Sequence, residues 1–215
     1  MNFIAFIYEH HAEILTSLLK HIYLVVFSVA IGILFSIPAG ILLSRHKKTA
    51  EKILAVVGIV QTIPGLVMLG LALILFGVGN TPALVVLSVY SVLPILRNTY
   101  TGLTEVQPGL IEAGRGLGMT STQLLFRVEL PLAVPSIIIG IRISTVYIVS
   151  WAALAGLIGA GGLGDLIWTG LSTYNTNYIL AGAIPSAVLA FLFSGLIGGI
   201  LRFVTPRGLR GMQHD

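Results

Sequence analysis

Three clusters of side chains in this 215-residue chain have types and spacings that suggest chemistry. Glu9, His10, His11 and Glu13 crowd the amino terminus and offer the donor types of a divalent metal site. Adjacent histidines point away from each other on a helix, so the two rings cannot share one face. Polar residues on an exposed surface helix are the reading that fits. Gly159-Ala160-Gly161-Gly162-Leu163-Gly164 satisfies G-x-G-x-x-G, the phosphate-cradling turn of dinucleotide-binding folds. That turn works between a strand and a helix, with an acid about 20 residues on. Here it follows an apolar run, and position 184 is Ile. The glycines then predict a tight turn or a close helix approach. The third cluster, Glu112 to Pro131, holds no catalytic constellation but a pattern suited to docking. The sequence has no Gly-Lys pair, hence no Walker-type nucleotide loop, and no Cys to serve as nucleophile, thiolate ligand or disulfide partner.

What must position these residues follows from composition. Hydrophobic residues make up 56% of the chain and charged ones 9%. A soluble domain is about 25% charged, so this chain lacks the polar surface to face water all round. Disorder is excluded by the same figures. A net charge of +4 raises nucleic acid as a partner, but such binders cluster their cations on one hydrophilic face. Here the charges are scattered between apolar runs. An all-α polytopic membrane protein is predicted, with spans over Ile22–Leu43, Ile53–Phe76, Pro82–Leu96, Leu132–Leu157 and Tyr178–Leu201. Residues 158–177, rich in Gly, Thr and Asn, read as a loop or a short re-entrant piece.

With the amino terminus outside, the inner segments hold Arg45, Lys47, Lys48, Lys52, Arg97, Arg115, Arg127, Arg202, Arg207 and Arg210, and the outer ones only Lys20. The positive-inside rule therefore sets that orientation. Residues 1–21 read as an amphipathic segment on the outer surface rather than a cleaved signal, residues 22–203 as the membrane domain, and residues 204–215 as a cytoplasmic tail. Small residues spaced by four (Gly32, Ser36, Gly40; Ala152, Gly156, Ala160; Gly195, Gly199) predict helix–helix contacts within the fold or across a dimer. Pro38, Pro64, Pro94 and Pro185 predict four broken spans, the mark of a molecule that moves or conducts. Arg142 stands alone as an ionisable residue well inside a span, about 16 Å along a helix from Pro131.

The inner stretch 97–131 is the informative one. Pro108 opens a short helix, and Gly114, Gly116 and Gly118 end it. Thr120 and Gln123 form a capping box for a second helix over Ser121–Leu130, whose Leu124, Leu125, Phe126 and Val128 need a partner or the protein's own spans to cover them.

Glu112-Ala113-Gly114, Gly118 and Val128-Glu129-Leu130-Pro131 resemble the EAA loop of permease subunits of ATP-binding-cassette importers. Gly114 stands for the second Ala of that pattern and Val128 for its Ile. Gln61-Thr62-Ile63-Pro64, Tyr90 to Gly102, Gly159 to Asp165 and Ile179 to Pro185 are similar to the glycine betaine/carnitine/choline permeases. The resemblance implies the five-span core of a type I importer like the methionine permease. It implies a second permease subunit, two ATPase subunits carrying ATP and Mg, an extracellular solute-binding protein, and the plasma membrane of a bacterium. No cofactor is expected in this chain itself. Glu112, Ala113, Gly118, Leu124, Leu125, Phe126, Leu130 and Pro131 would couple to the ATPase, with Arg115 and Arg127 as polar partners of Glu112. Gln61, Tyr90, Tyr147 and Trp151 are candidates for the translocation path, since aromatic faces attract quaternary ammonium. A permease for another small solute such as an amino acid, an ATPase-independent channel or secondary transporter, and a membrane enzyme are the competing readings.

Overall fold

The computed structural model describes residues 2–204, and the described residues form helices and turns with no strand. The expected tail thus lies, apart from Val204, outside the described residues. Four helical runs are long and apolar enough to span a membrane: α2 (His11–Ser44), α5 (Asn80–Thr104), Ser121–Ala152 and α10 (Thr176–Val204). The last part of the third run, Leu130–Ala152, is α8. A fifth span is a pair, α3 (Lys47–Thr62) and α4 (Gly65–Phe76), bent by 89°.

Several boundaries differ from those the sequence suggested. Helix α1 (Phe3–Glu9) is followed at once by α2, which continues through residue 21 without a break. No Gly or Pro interrupts His11–Ile31, so nothing stops the helix at the water boundary. Its 34 residues reach about 51 Å, well beyond a hydrocarbon core of about 30 Å. Phe6 is buried with Leu163, Leu166 and Ala181, which ties the amino-terminal segment to the protein rather than leaving it on lipid alone. Helix α5 runs on to Thr104, so the polar stretch begins inside it. The second helix of that stretch is not separate. α7 (Ser121–Leu124) passes through a π-helical turn (Leu125–Glu129) into α8. Residues 154–158 form a 3-10 turn instead of completing the fourth span. Residues 158–177 contain α9 (Leu163–Ser172), which packs on α10 and on α2.

Proline breaks one span, not four. Pro38, Pro94 and Pro185 lie inside continuous helices, as does Pro135. At Pro94 the reason is visible. A proline leaves the carbonyl four residues earlier without its donor, and that carbonyl, on Tyr90, accepts from Gln61 Nε2 at 2.7 Å.

Helix α5 is the centre of the bundle, flanked by α2 and α8. Gly40 presses on Thr99, to which a Cβ would lie 2.6 Å away, and Gly32 on Ser91. Gly140 of α8 presses on Asn98 and on the Pro94 carbonyl. The small-residue repeat of the first span is therefore the α2/α5 contact. A Cβ on Gly195 or Gly199 would meet no other helix within 4 Å among the described residues, whereas one on Gly182 would run into α9. Serine hydroxyls stitch the same seam: Ser91 donates to the Ser28 carbonyl at 3.1 Å, and Ser144 to the Ser91 carbonyl at 3.0 Å. His21 Nε2 donates to the Val149 carbonyl at 3.1 Å, joining α2 to α8.

Candidate functional site

The segment between α5 and α8 is a helical hairpin whose turn chemistry matches its sequence. Helix α6 (Pro108–Gly116) starts with Pro at its first turn. It ends in a Schellman arrangement: Gly118 has φ +78°, its N–H donates to the Arg115 carbonyl at 2.9 Å, and Met119 N–H donates to the Gly114 carbonyl at 3.1 Å. The expected capping box is present, with Gln123 N–H donating to Thr120 Oγ1 at 3.3 Å and Thr120 N–H to Gln123 Oε1 at 2.9 Å.

The hairpin divides the eight coupling candidates into two sets. Glu112, Ala113, Gly118, Phe126 and Pro131 are exposed. Leu124 is 3% exposed and packs where a Cβ on Gly114 would come within 2.6 Å of its Cδ1. Leu125 and Leu130 pack against Leu103, Ala133 and Ile137 of the protein's own helices. These three leucines therefore close the hairpin onto the bundle and are not part of its outer face. Gly114 is the small residue that admits Leu124. Leu117, unmarked by the motif, is 78% exposed and joins Phe126, 63% exposed, on the outer side. Glu112 forms no ion pair with Arg115 or Arg127.

The ion pair among the described residues lies deeper. Arg45, just after α2, grips Glu129 with both nitrogens: Nη1 donates to Oε1 at 3.0 Å and Nη2 to Oε2. Glu129 is buried at 2% exposure at the end of the π-helical turn. The two are 84 positions apart. The only signal in the sequence was an acid set between Val128 and Leu130 that an apolar helix would not otherwise tolerate.

Three of the four path candidates meet at the bend between α3 and α4. The rings of Tyr90 and Trp151 stack with centroids 4.9 Å apart and planes at 15°. The Tyr90 hydroxyl donates to the Ile63 carbonyl, and Gln61 donates to the Tyr90 carbonyl. A Cβ on Gly65 would overlap the Trp151 ring, so only glycine lets the indole sit on the bend. Tyr90 is 5% exposed, and its ring is a packing surface here. Tyr147 stands apart, 57% exposed, beside Arg142 on α8. Arg142 bonds Ser194 Oγ of α10 through Nε at 2.9 Å.

At the amino terminus, His10 and His11 each direct Nδ1 at a carbonyl of their own turn, on Phe6 and Tyr8. The glycine run makes a tight turn, with positive φ at Gly159, Gly161 and Gly162. It also permits a close approach, since a Cβ on Gly156 would lie 2.7 Å from Asp165 N.

Comparison with known proteins agrees with this architecture. The family model described as binding-protein-dependent transport system inner membrane component matches residues 32–208. The chain is 46% identical over 209 residues to the glycine betaine/carnitine/choline transport system permease protein OpuCB of Bacillus subtilis, covering 97% of this chain and 96% of that one. It is 43% identical to the choline transport system permease protein OpuBB of the same organism, covering 99% and 98%. Among solved structures, the MetNI methionine ABC transporter in inward-facing conformations superposes with a TM-score of 0.81 at 26% identity, over 90% of this chain and 96% of that one. The chain belongs to the family of binding-protein-dependent transport system inner membrane components.

Proposed function

We propose that this multi-pass membrane permease carries quaternary ammonium compatible solutes (glycine betaine, carnitine and choline) into the cell, driven by ATP hydrolysed on partner subunits. The observation that carries the solute class is identity above 40% along nearly the whole chain to two permeases named for those solutes. The coupling half of the reading rests on the hairpin. Glu112, Ala113, Leu117 and Phe126 form an outward face with large apolar side chains, and such a face beside a membrane domain calls for a protein partner. An ATPase docked there would move the hairpin, and with it α5 and α8, which lead out of its two ends. The partner ATPase would supply the nucleotide and Mg. A second permease subunit and an external solute-binding protein would complete the importer, with the amino terminus outside and the carboxyl terminus in the cytoplasm.

The test is uptake of labelled glycine betaine, carnitine and choline in cells lacking other osmoprotectant uptake and expressing the permease with its cognate ATPase and binding protein. Uptake of at least one solute that stops when the ATPase is omitted is expected. Transport of methionine but none of the three would transfer the protein to amino-acid permeases, and transport without the ATPase would make it a channel or secondary transporter. Orientation is read separately. The chain has no Cys, so Lys20→Cys and Leu117→Cys give clean labels, and an impermeant maleimide should reach the first alone in intact cells.

A further inference from the structure

Helix α3 turns two cations and two large apolar side chains to the same side. Its first half carries Lys47, Lys48, Glu51 and Lys52, all exposed. Residues three and four apart share a face of a helix, so Lys48, Lys52 and Val56 form one ridge and Ile59 prolongs it. Val56 is 60% exposed and Ile59 65%. The opposite face holds Ala50, Leu54 and Val57, which cluster with Leu43 and Leu96 and seat the helix on the bundle. Lys47 and Glu51 stand one turn apart on the flank, where their charges offset each other. Among the described residues neither Lys48 nor Lys52 pairs with a carboxylate. The ridge thus reads cation, cation, apolar, apolar along one exposed line.

Neither topology nor helix stability asks for that register. The positive-inside rule needs cations on one side of the membrane but not on one face of a helix. Lys48 lies in the first turn of α3, which holds no acid, and there a cation opposes the helix dipole. Depth and charge say what the ridge meets. From Lys52 to Thr62, the last residue of α3, is about 15 Å along the axis. That is half of a hydrocarbon core of about 30 Å. With the α3–α4 bend at mid-membrane, Lys52 reaches headgroup level, Lys48 stands one turn beyond, and Val56 and Ile59 lie among acyl chains. An acidic protein surface would answer the lysines and leave the apolar half of the ridge unmatched. An anionic phospholipid matches both halves, because its phosphate pairs with ammonium groups and its chains are apolar. We propose that Lys48 and Lys52 hold the headgroup phosphate of an anionic phospholipid whose acyl chain lies along Val56 and Ile59. The site is independent of the solute carried.

The chain has no Cys, so Val56→Cys accepts a single fluorophore on the full permease before its ATPase is added and the complex is placed in vesicles. Quenching is then compared between vesicles containing brominated phosphatidylglycerol and vesicles containing brominated phosphatidylcholine. The anionic lipid should be preferred at this position by roughly tenfold, since each lysine near an anionic headgroup favours it several-fold. Lys48→Gln with Lys52→Gln should bring the preference close to one, and Lys48→Arg with Lys52→Arg should keep it. Ile74→Cys on α4, 80% exposed and without a lysine above it, should show no preference in either background, and its quenching by both lipids verifies that the glutamine variant is inserted. Equal quenching by the two lipids at Val56→Cys overturns the site, as does a preference that survives the glutamine pair or appears equally at Ile74→Cys. A label at Val56→Cys that neither lipid quenches, while Ile74→Cys is quenched by both, overturns it too and gives the ridge to a protein partner.

Discussion

Phe126 and Leu124 are two residues apart and both apolar, yet the structure exposes one and buries the other. Phe126 leaves 63% of its surface exposed. A phenylalanine offers roughly 200 Å², so about 125 Å² remains for a partner to cover, worth about 3 kcal/mol at 25 cal/mol per Å². Phe126→Ser should therefore weaken ATPase association by about a hundredfold, at 1.4 kcal/mol per factor of ten. It should leave the permease itself close to wild-type stability, since most of the ring is not covered by this chain. Leu124 is 3% exposed and closes the hairpin over Gly114. Leu124→Ala should cost about 2–5 kcal/mol of local stability through the cavity it leaves. The assay is paired: thermal stability of tagged permease in detergent, and the amount of ATPase retained on it across a dilution series. Phe126→Ser should lose the ATPase and keep its melting temperature, and Leu124→Ala should show a lowered melting temperature. If Phe126→Ser retains the ATPase at wild-type affinity, or melts as early as Leu124→Ala, the outer face is wrongly drawn.

Three further outcomes follow from single contacts. Gln61→Leu strips the donor from the Tyr90 carbonyl and should destabilise by about 1–3 kcal/mol; adding Pro94→Ala returns a backbone N–H to that carbonyl, so the double variant should melt higher than Gln61→Leu alone, and strict additivity refutes the pairing. Gly118 has open space around its Cβ position, which leaves φ as the whole constraint: Gly118→Asn should transport nearly normally while Gly118→Val, strained by about 1–2 kcal/mol, should transport poorly. Glu129→Gln and Arg45→Gln should each impair transport with ATPase association intact, and the exchange Arg45→Glu with Glu129→Arg should recover part of it; an exchange no better than the single variants would show that the ion pair does not link α2 to the hairpin.

The parts of this fold written in the sequence are those fixed by neighbours. Pro108, Gly118 and the Thr120–Gln123 box specify their own turns because capping is a matter of three or four residues. Gly32 and Gly40 were legible as a contact because close packing in lipid requires small residues at helical spacing. What escaped depends on distant residues. Pro38, Pro94 and Pro64 look alike locally, yet only Pro64 breaks its span. There Gly65 follows, Trp151 lies on the bend and the Tyr90 hydroxyl takes the Ile63 carbonyl. At Pro94 a side chain from another helix repairs the loss. Leu124, Leu125 and Phe126 point in three directions on a helix, and which one faces outward is set by the hairpin's closure over Gly114 and by the π-helical turn. The Arg45–Glu129 pair spans two segments whose proximity no local pattern encodes.

The same distant contacts explain why one hairpin can act on one bend. Helix α5 enters the hairpin and α8 leaves it, with Glu129 at the start of α8 held to the end of α2 by Arg45. Tyr90 belongs to α5 and Trp151 to α8, and their stacked rings meet on Gly65 at the α3–α4 bend. A displacement that shears α5 against α8 cannot leave that stack unchanged, because Gly140 locks the two helices backbone to backbone and interiors of this density shift between discrete packings rather than deforming smoothly. The serine bonds along the α2/α5/α8 seam hold those three helices together, whereas α3 and α4 rest on α5 through apolar packing, Ala50 against Leu96 and Leu69 and Ala72 against Val86 and Leu87. On the coupling reading, Gln61, whose bond both repairs α5 and tethers α3, is one side chain through which a movement of α5 reaches the bent pair.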